Sequence, residues 1–81
     1  MNSLRNKEFC TAFGAHLKKL RVEKGFTLRG FALEVGIEHS QLSKIERGIN
    51  NPTISTVLAI SEALNISIQE IFDFKFPKNK K

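Results

Sequence analysis

The chain has 81 residues, enough for one compact hydrophobic core and too few for a second. Its hydrophobic share of 41% and charged share of 26% are those of an ordinary globular protein and exclude general disorder and collagen-like or mucin-like sequence. Thirteen Lys and Arg against eight Asp and Glu leave a formal charge of +5, a positive field that suits nucleic acid or an acidic membrane surface.

The single cysteine, Cys10, has no partner for an internal disulfide and no second ligand at metal spacing, so it reads as an ordinary thiol near a helix face. No apolar run approaches the roughly 20 residues that span a bilayer, and the N-terminus lacks the basic, apolar, then small-residue order of a signal peptide. The expected location is the cytoplasm, without membrane contact.

Phe9, Phe13, His16, Leu17 and Leu20 recur at helical spacing and predict an amphipathic helix over 6–24, ended by Gly25. Thr27 then reads as an N-cap, with Phe26 and Phe31 placed as a hydrophobic staple across it. The second helix starts at Leu28, packs Leu28, Phe31, Ala32 and Val35 inward, and stops at Gly36. After Gly36-Ile37-Glu38 a third helix is predicted over 39–47, anchored by only Leu42 and Ile45 and closed by Gly48. Ile49-Asn50-Asn51-Pro52 is a turn-rich break.

Thr53 caps a fourth predicted helix, with Ile54, Val57, Leu58 and Leu64 on its buried side, Ile60 and Ala63 flanking, and Asn65 as a left-handed end. Ser67 and Glu70 have the spacing of a capping box, Ile66 and Ile71 that of a staple, and a fifth helix over 68–72 follows. Phe72, Phe74 and Phe76 then alternate with Asp73 and Lys75, a period of two that predicts a strand-like arm docking on the core or on a second subunit. The chain thus divides into a helical domain over 1–73 and a basic tail over 74–81, whose Lys75, Lys78, Lys80 and Lys81 read as a solvated, disordered end.

Five helices joined by short breaks, with no internal strand, make an all-α bundle. Its informative feature is a pair of short helices separated by three residues, the second offering several polar side chains and little apolar surface. That is the form of a helix-turn-helix. A protruding helix about 10–12 Å wide fits a B-DNA major groove about 12 Å wide, where all four base pairs differ. By itself, such a polar face is equally an ordinary solvated surface.

The stretch from Leu17 to Phe72 resembles the lambda-repressor-like helix-turn-helix family, also called Xre or Cro/C1. The matching residues are Leu20-Arg21, Gly25-Phe26-Thr27, Phe31-Ala32, Val35-Gly36-Ile37, Leu42 to Gly48, Asn51-Pro52-Thr53 and Ala63 to Ser67. Singly they are weak; in order and at family spacing they are specific. The resemblance implies a five-helix bundle in which the third helix reads base edges through His39, Ser40, Gln41, Ser43 and Lys44. Gln41 pairs bidentately with adenine and Lys44 donates to guanine O6 and N7, each good bidentate contact being worth about 1–3 kcal/mol of discrimination. Phosphate contacts are expected at the start of the second helix, from Thr27, Leu28 and Arg29, and from Arg47, Asn50 and Asn51.

Leu28 departs from the glutamine common in the family, leaving Arg29 to substitute. Gly30 departs from a helix former. Glu38 stands where a small hydroxyl or Asp is usual, and its charge repels a nearby phosphate, so it either turns away or reads a cytosine amino group. The resemblance further implies that Arg21 and Glu46 form a structural ion pair between the first and third helices.

One recognition helix covers few base pairs, so a homodimer on half-sites about 34–36 Å apart is expected, with Ile68, Phe72, Phe74 and Phe76 as its interface. The functional expectation is a small transcriptional regulator, a dimeric repressor or controller reading an inverted-repeat operator in double-stranded DNA. The alternative is a protein-interaction module, such as an antitoxin or adaptor, with a protein partner. No cofactor is expected, no metal site, since His16 and His39 lack clustered ligands, and no catalytic residues, since no phosphate loop, paired carboxylates or activated nucleophile is recognisable.

Overall fold

A computed structural model of the chain describes residues 2–78. Its helices are α1 (Ser3–Glu23), α2 (Leu28–Val35), α3 (His39–Glu46), α4 (Ile54–Leu64) and α5 (Ile68–Ile71), and no strand occurs among the described residues. Helix α1 packs on α3, α2 packs on both α3 and α4, and α5 closes against α4. The core draws on every helix: Leu17, Phe31, Leu42, Ile45, Ile60, Leu64 and Ile71 are completely buried. No described helix is long and apolar enough to cross a membrane.

Helix starts follow the predicted caps. Thr27, Thr53 and Ser67 each accept a hydrogen bond from the backbone N–H three residues on, and the Ser67–Glu70 box is closed in both directions. Such a cap satisfies an N–H that the helix itself leaves unpaired, contributing about 1 kcal/mol. The Phe26–Phe31 staple forms, with ring centroids 5.1 Å apart. The ends of α1, α2, α3 and α4 share one device, an N–H that reaches back five residues to a helical carbonyl: Phe26 to Arg21, Ile37 to Ala32, Ile49 to Lys44 and Ile66 to Ser61. Each needs a left-handed residue just before the donor, supplied by glycine or, at Asn65, by an asparagine with φ 58°.

Three expectations are corrected by the structure. Helix α1 begins at Ser3, earlier than predicted, because the Asn2 side chain accepts from the Arg5 N–H and caps it. The buried face of α4 is Val57, Ile60, Ser61 and Leu64, whereas Ile54 is 90% and Leu58 48% exposed. Helix α4 carries apolar residues on both stripes, and the stripe facing α2 is the one buried. Helix α5 ends at Ile71, with Phe72 as its C-cap.

The arm after α5 docks on its own chain. Phe74 packs against the core with its ring near Phe9, Phe13 and His16, and Phe76 meets Phe9 edge-on with centroids 4.9 Å apart. The Arg5 guanidinium lies 4.5 Å over the Phe76 ring and donates to the Pro77 carbonyl. The alternation survives without a sheet: Phe74 and Phe76 are half-buried, while Asp73, Lys75 and Lys78 are exposed. Lys80 and Lys81 of the expected tail lie outside the described residues.

Candidate nucleic-acid interface

The structure brings the predicted residues together on two helices joined by a tight turn. Gly36, at φ 88°, lets the chain leave α2 in a left-handed conformation and enter α3 after two residues. Leu42 and Ile45 sink into the core and Glu46 turns inward at the helix end, so the other residues of α3 face outward: His39, Ser40, Gln41 and Lys44 are exposed and Ser43 is half-buried. Arg47 and Asn51 are exposed and Asn50 is half-buried. The loop is tied to α3, since the N–H groups of Ile49 and Asn50 both donate to the Lys44 carbonyl.

At the start of α2 the Thr27 hydroxyl accepts from the Gly30 N–H at 3.1 Å. The Leu28 and Arg29 N–H groups precede the first helical bond, Phe31 N–H to the Thr27 carbonyl, and point out of the helix end beside the exposed Arg29 side chain. A Cβ on Gly30 would stand 3.0 Å from the Thr27 hydroxyl oxygen, so the glycine that weakens the helix makes room for its cap.

One buried ion pair holds this surface in place. Arg21 Nε donates to Glu46 Oε2 at 2.6 Å and its Nη2 to Oε1 at 3.1 Å, while Nη1 donates to the Phe26 carbonyl at 2.9 Å. The two side chains are only 9% and 5% exposed. A single guanidinium therefore ties the end of α1, the entry to α2 and the end of α3, and its planar fork suits that bidentate arrangement. The Phe26 carbonyl is a partner sequence reasoning missed, because main-chain acceptors leave no trace in residue identity.

Two close backbone approaches were also missed. Gly14 lies in the middle of α1 where a Cβ would collide with the carbonyl oxygens of Ile45 and Glu46 on α3, and a Cβ on Gly48 would stand 2.6 Å from the Thr11 Cα. An isolated glycine inside a helical pattern is the signal that marks such a crossing. His16 is a core-edge residue, its Nε2 3.0 Å from the Glu70 carbonyl, and among the described residues no cluster of potential ligands could hold a metal.

Residues 17–71 match the family described as helix-turn-helix. The chain belongs to this helix-turn-helix family, of lambda-repressor type. It is 36% identical over 61 residues to the HTH-type transcriptional regulator SlrR of Bacillus subtilis, covering 74% of this chain and 40% of that protein. It is 36% identical over 63 residues to SinR of the same organism, covering 76% and 57%. The chain thus spans about half the length of these relatives. Among solved structures, the restriction-modification controller protein C.AhdI of Aeromonas hydrophila superposes with a TM-score of 0.76 at 32% identity, covering 78% of this chain and 96% of that one. The clp gene regulator ClgR of Corynebacterium glutamicum gives 0.77 at 30%, covering 79% and 82%.

In helix-turn-helix terms α2 and α3 are the two helices of the motif, and the family is one of regulators rather than enzymes. The match leaves out the first two thirds of α1 and the arm, which pack on each other through Phe9, Phe74 and Phe76.

Proposed function

We propose that this protein binds double-stranded DNA sequence-specifically and acts as a transcriptional regulator, inserting α3 into the major groove as a homodimer. The observation that carries the reading is the combination of an outward polar α3 and the buried Arg21–Glu46 pair that immobilises it. Phosphates would be held by the start of α2, Arg29, Arg47 and the Asn50-Asn51 loop, and base edges read by His39, Ser40, Gln41, Ser43 and Lys44.

Selection of bound sequences from a random duplex library tests the reading, with an enriched inverted repeat as the expected result. Gln41→Ala is expected to change the base preferred at one position of each half-site, and an unaltered preference would remove Gln41 from readout. Arg47→Ala is expected to weaken all sequences alike and to lower the slope of log affinity against log salt by about 1, whereas a sequence-selective loss would contradict a phosphate role. Binding that ignores salt would favour the protein-interaction reading.

For the dimer, an apolar groove of about 580 Å³ runs between α1, α4 and α5, lined by Phe9, Phe13, Val57, Leu58, Ile68 and Phe72. Ile68 and Phe72 remain 40% and 42% exposed, while Phe74 and Phe76 are engaged by α1. Ile68→Asp is expected to weaken self-association about tenfold or more in sedimentation equilibrium. An unchanged association constant would remove Ile68 from the interface.

A further inference from the structure

Glu38 is the N-cap of α3, with an extended backbone (φ −72°, ψ 146°), yet its side chain makes no capping hydrogen bond. It is exposed, and the one salt bridge among the described residues is Arg21–Glu46, so no described residue holds this carboxylate. It stands beside His39, Ser40 and Gln41, at the end of α3 that a helix-turn-helix presents to base edges. We propose that Glu38 is a specificity-determining residue that selects a cytosine at one position of each half-site, an inference that rests on the DNA-binding reading above.

A carboxylate only accepts hydrogen bonds. Against DNA it is repelled by every phosphate, and the donors available in the major groove are the amino groups of cytosine and adenine. The adenine amino group lies between two acceptors, its own N7 and the O4 of the paired thymine. The cytosine amino group has guanine O6 on one side and an apolar C5–H on the other, so a carboxylate there meets one fewer lone pair. The dipole of α3 favours negative charge at this end, which offsets part of the phosphate repulsion without a counterion. Glu38 therefore contributes selectivity rather than affinity: it penalises every site that lacks the cytosine.

The test compares library-selected profiles of the native chain, Glu38→Ala and Glu38→Gln. The native chain should prefer cytosine at one half-site position by about tenfold. In Glu38→Ala that position should become degenerate, with the other positions kept and non-specific duplex bound several-fold more tightly at low salt. In Glu38→Gln the preference should move to adenine, which an amide pairs bidentately. Because the side chain has no hydrogen-bond or salt-bridge partner among the described residues, both variants should stay folded and melt only slightly below the native chain, the difference being the lost favourable charge at the start of α3. Enrichment by the native chain with the same profile in both variants would overturn the assignment of Glu38 alone. No enrichment by the native chain would overturn the DNA-binding reading and this inference with it.

Discussion

Glu46→Ala is expected to destabilise the fold by about 3–5 kcal/mol, the cost of leaving a buried charge without its partner. Arg21 is 8% exposed and would keep only the Phe26 carbonyl as acceptor. For a domain of this size the whole stability is about 5–15 kcal/mol, so the melting temperature should fall by about 12 °C or more. Urea denaturation followed by circular dichroism measures it. A loss within about 0.5 kcal/mol, as for an ordinary surface substitution, would show that the pair is not structural. The double variant Arg21→Met, Glu46→Leu should recover most of the loss, because removing both charges also removes the cost of burying them. Its DNA affinity should stay below that of the native chain, since apolar side chains cannot replace the hydrogen bonds to Glu46 and to the Phe26 carbonyl.

Gly14→Ala is the second large effect expected. The added methyl would meet the Ile45 and Glu46 carbonyl oxygens, and main-chain atoms inside a helix cannot swing aside as a flexible side chain does. Overpacking of this kind costs about 1–3 kcal/mol, against a helix-propensity gain of up to about 1 kcal/mol for replacing glycine. The net result should be destabilisation with α3 pushed away from α1. DNA binding should consequently fall more than stability, because α3 carries the proposed base contacts. A Gly14→Ala protein more stable than the native chain in urea would show that the helices separate freely and that the contact is not limiting.

Much of the fold was legible because its decisive signals are local. A cap is one side chain meeting a backbone N–H three residues away, so Thr27, Thr53 and Ser67 announce helix starts whatever surrounds them. Leu42 and Ile45 as the only apolar anchors of α3 likewise identify its outward face, and with it the candidate site. The Arg21–Glu46 pair was reached through family resemblance rather than spacing, since the two residues meet only when α1 crosses α3.

What remained illegible depended on which surfaces meet. On α4, Ile54 and Leu58 are as apolar as Val57 and Ile60, and only the position of α2 decides which stripe is covered. The aromatic alternation of the arm was visible, but whether Phe74 and Phe76 would find α1 or a second subunit was not. Gly48 read only as a helix stop and Gly14 carried no reading at all; both let backbones approach, which no residue identity records.

Residue order alone was enough for the starts of α2, α4 and α5, the three-residue turn and the polar face of α3, because each rests on contacts within a few residues along the chain. The tertiary structure decided the helix crossings, the buried stripe of α4, the docking of the arm and the three-way grip of Arg21. Those depend on groups brought together only by burial of apolar surface, a force without direction that leaves close packing to choose the arrangement.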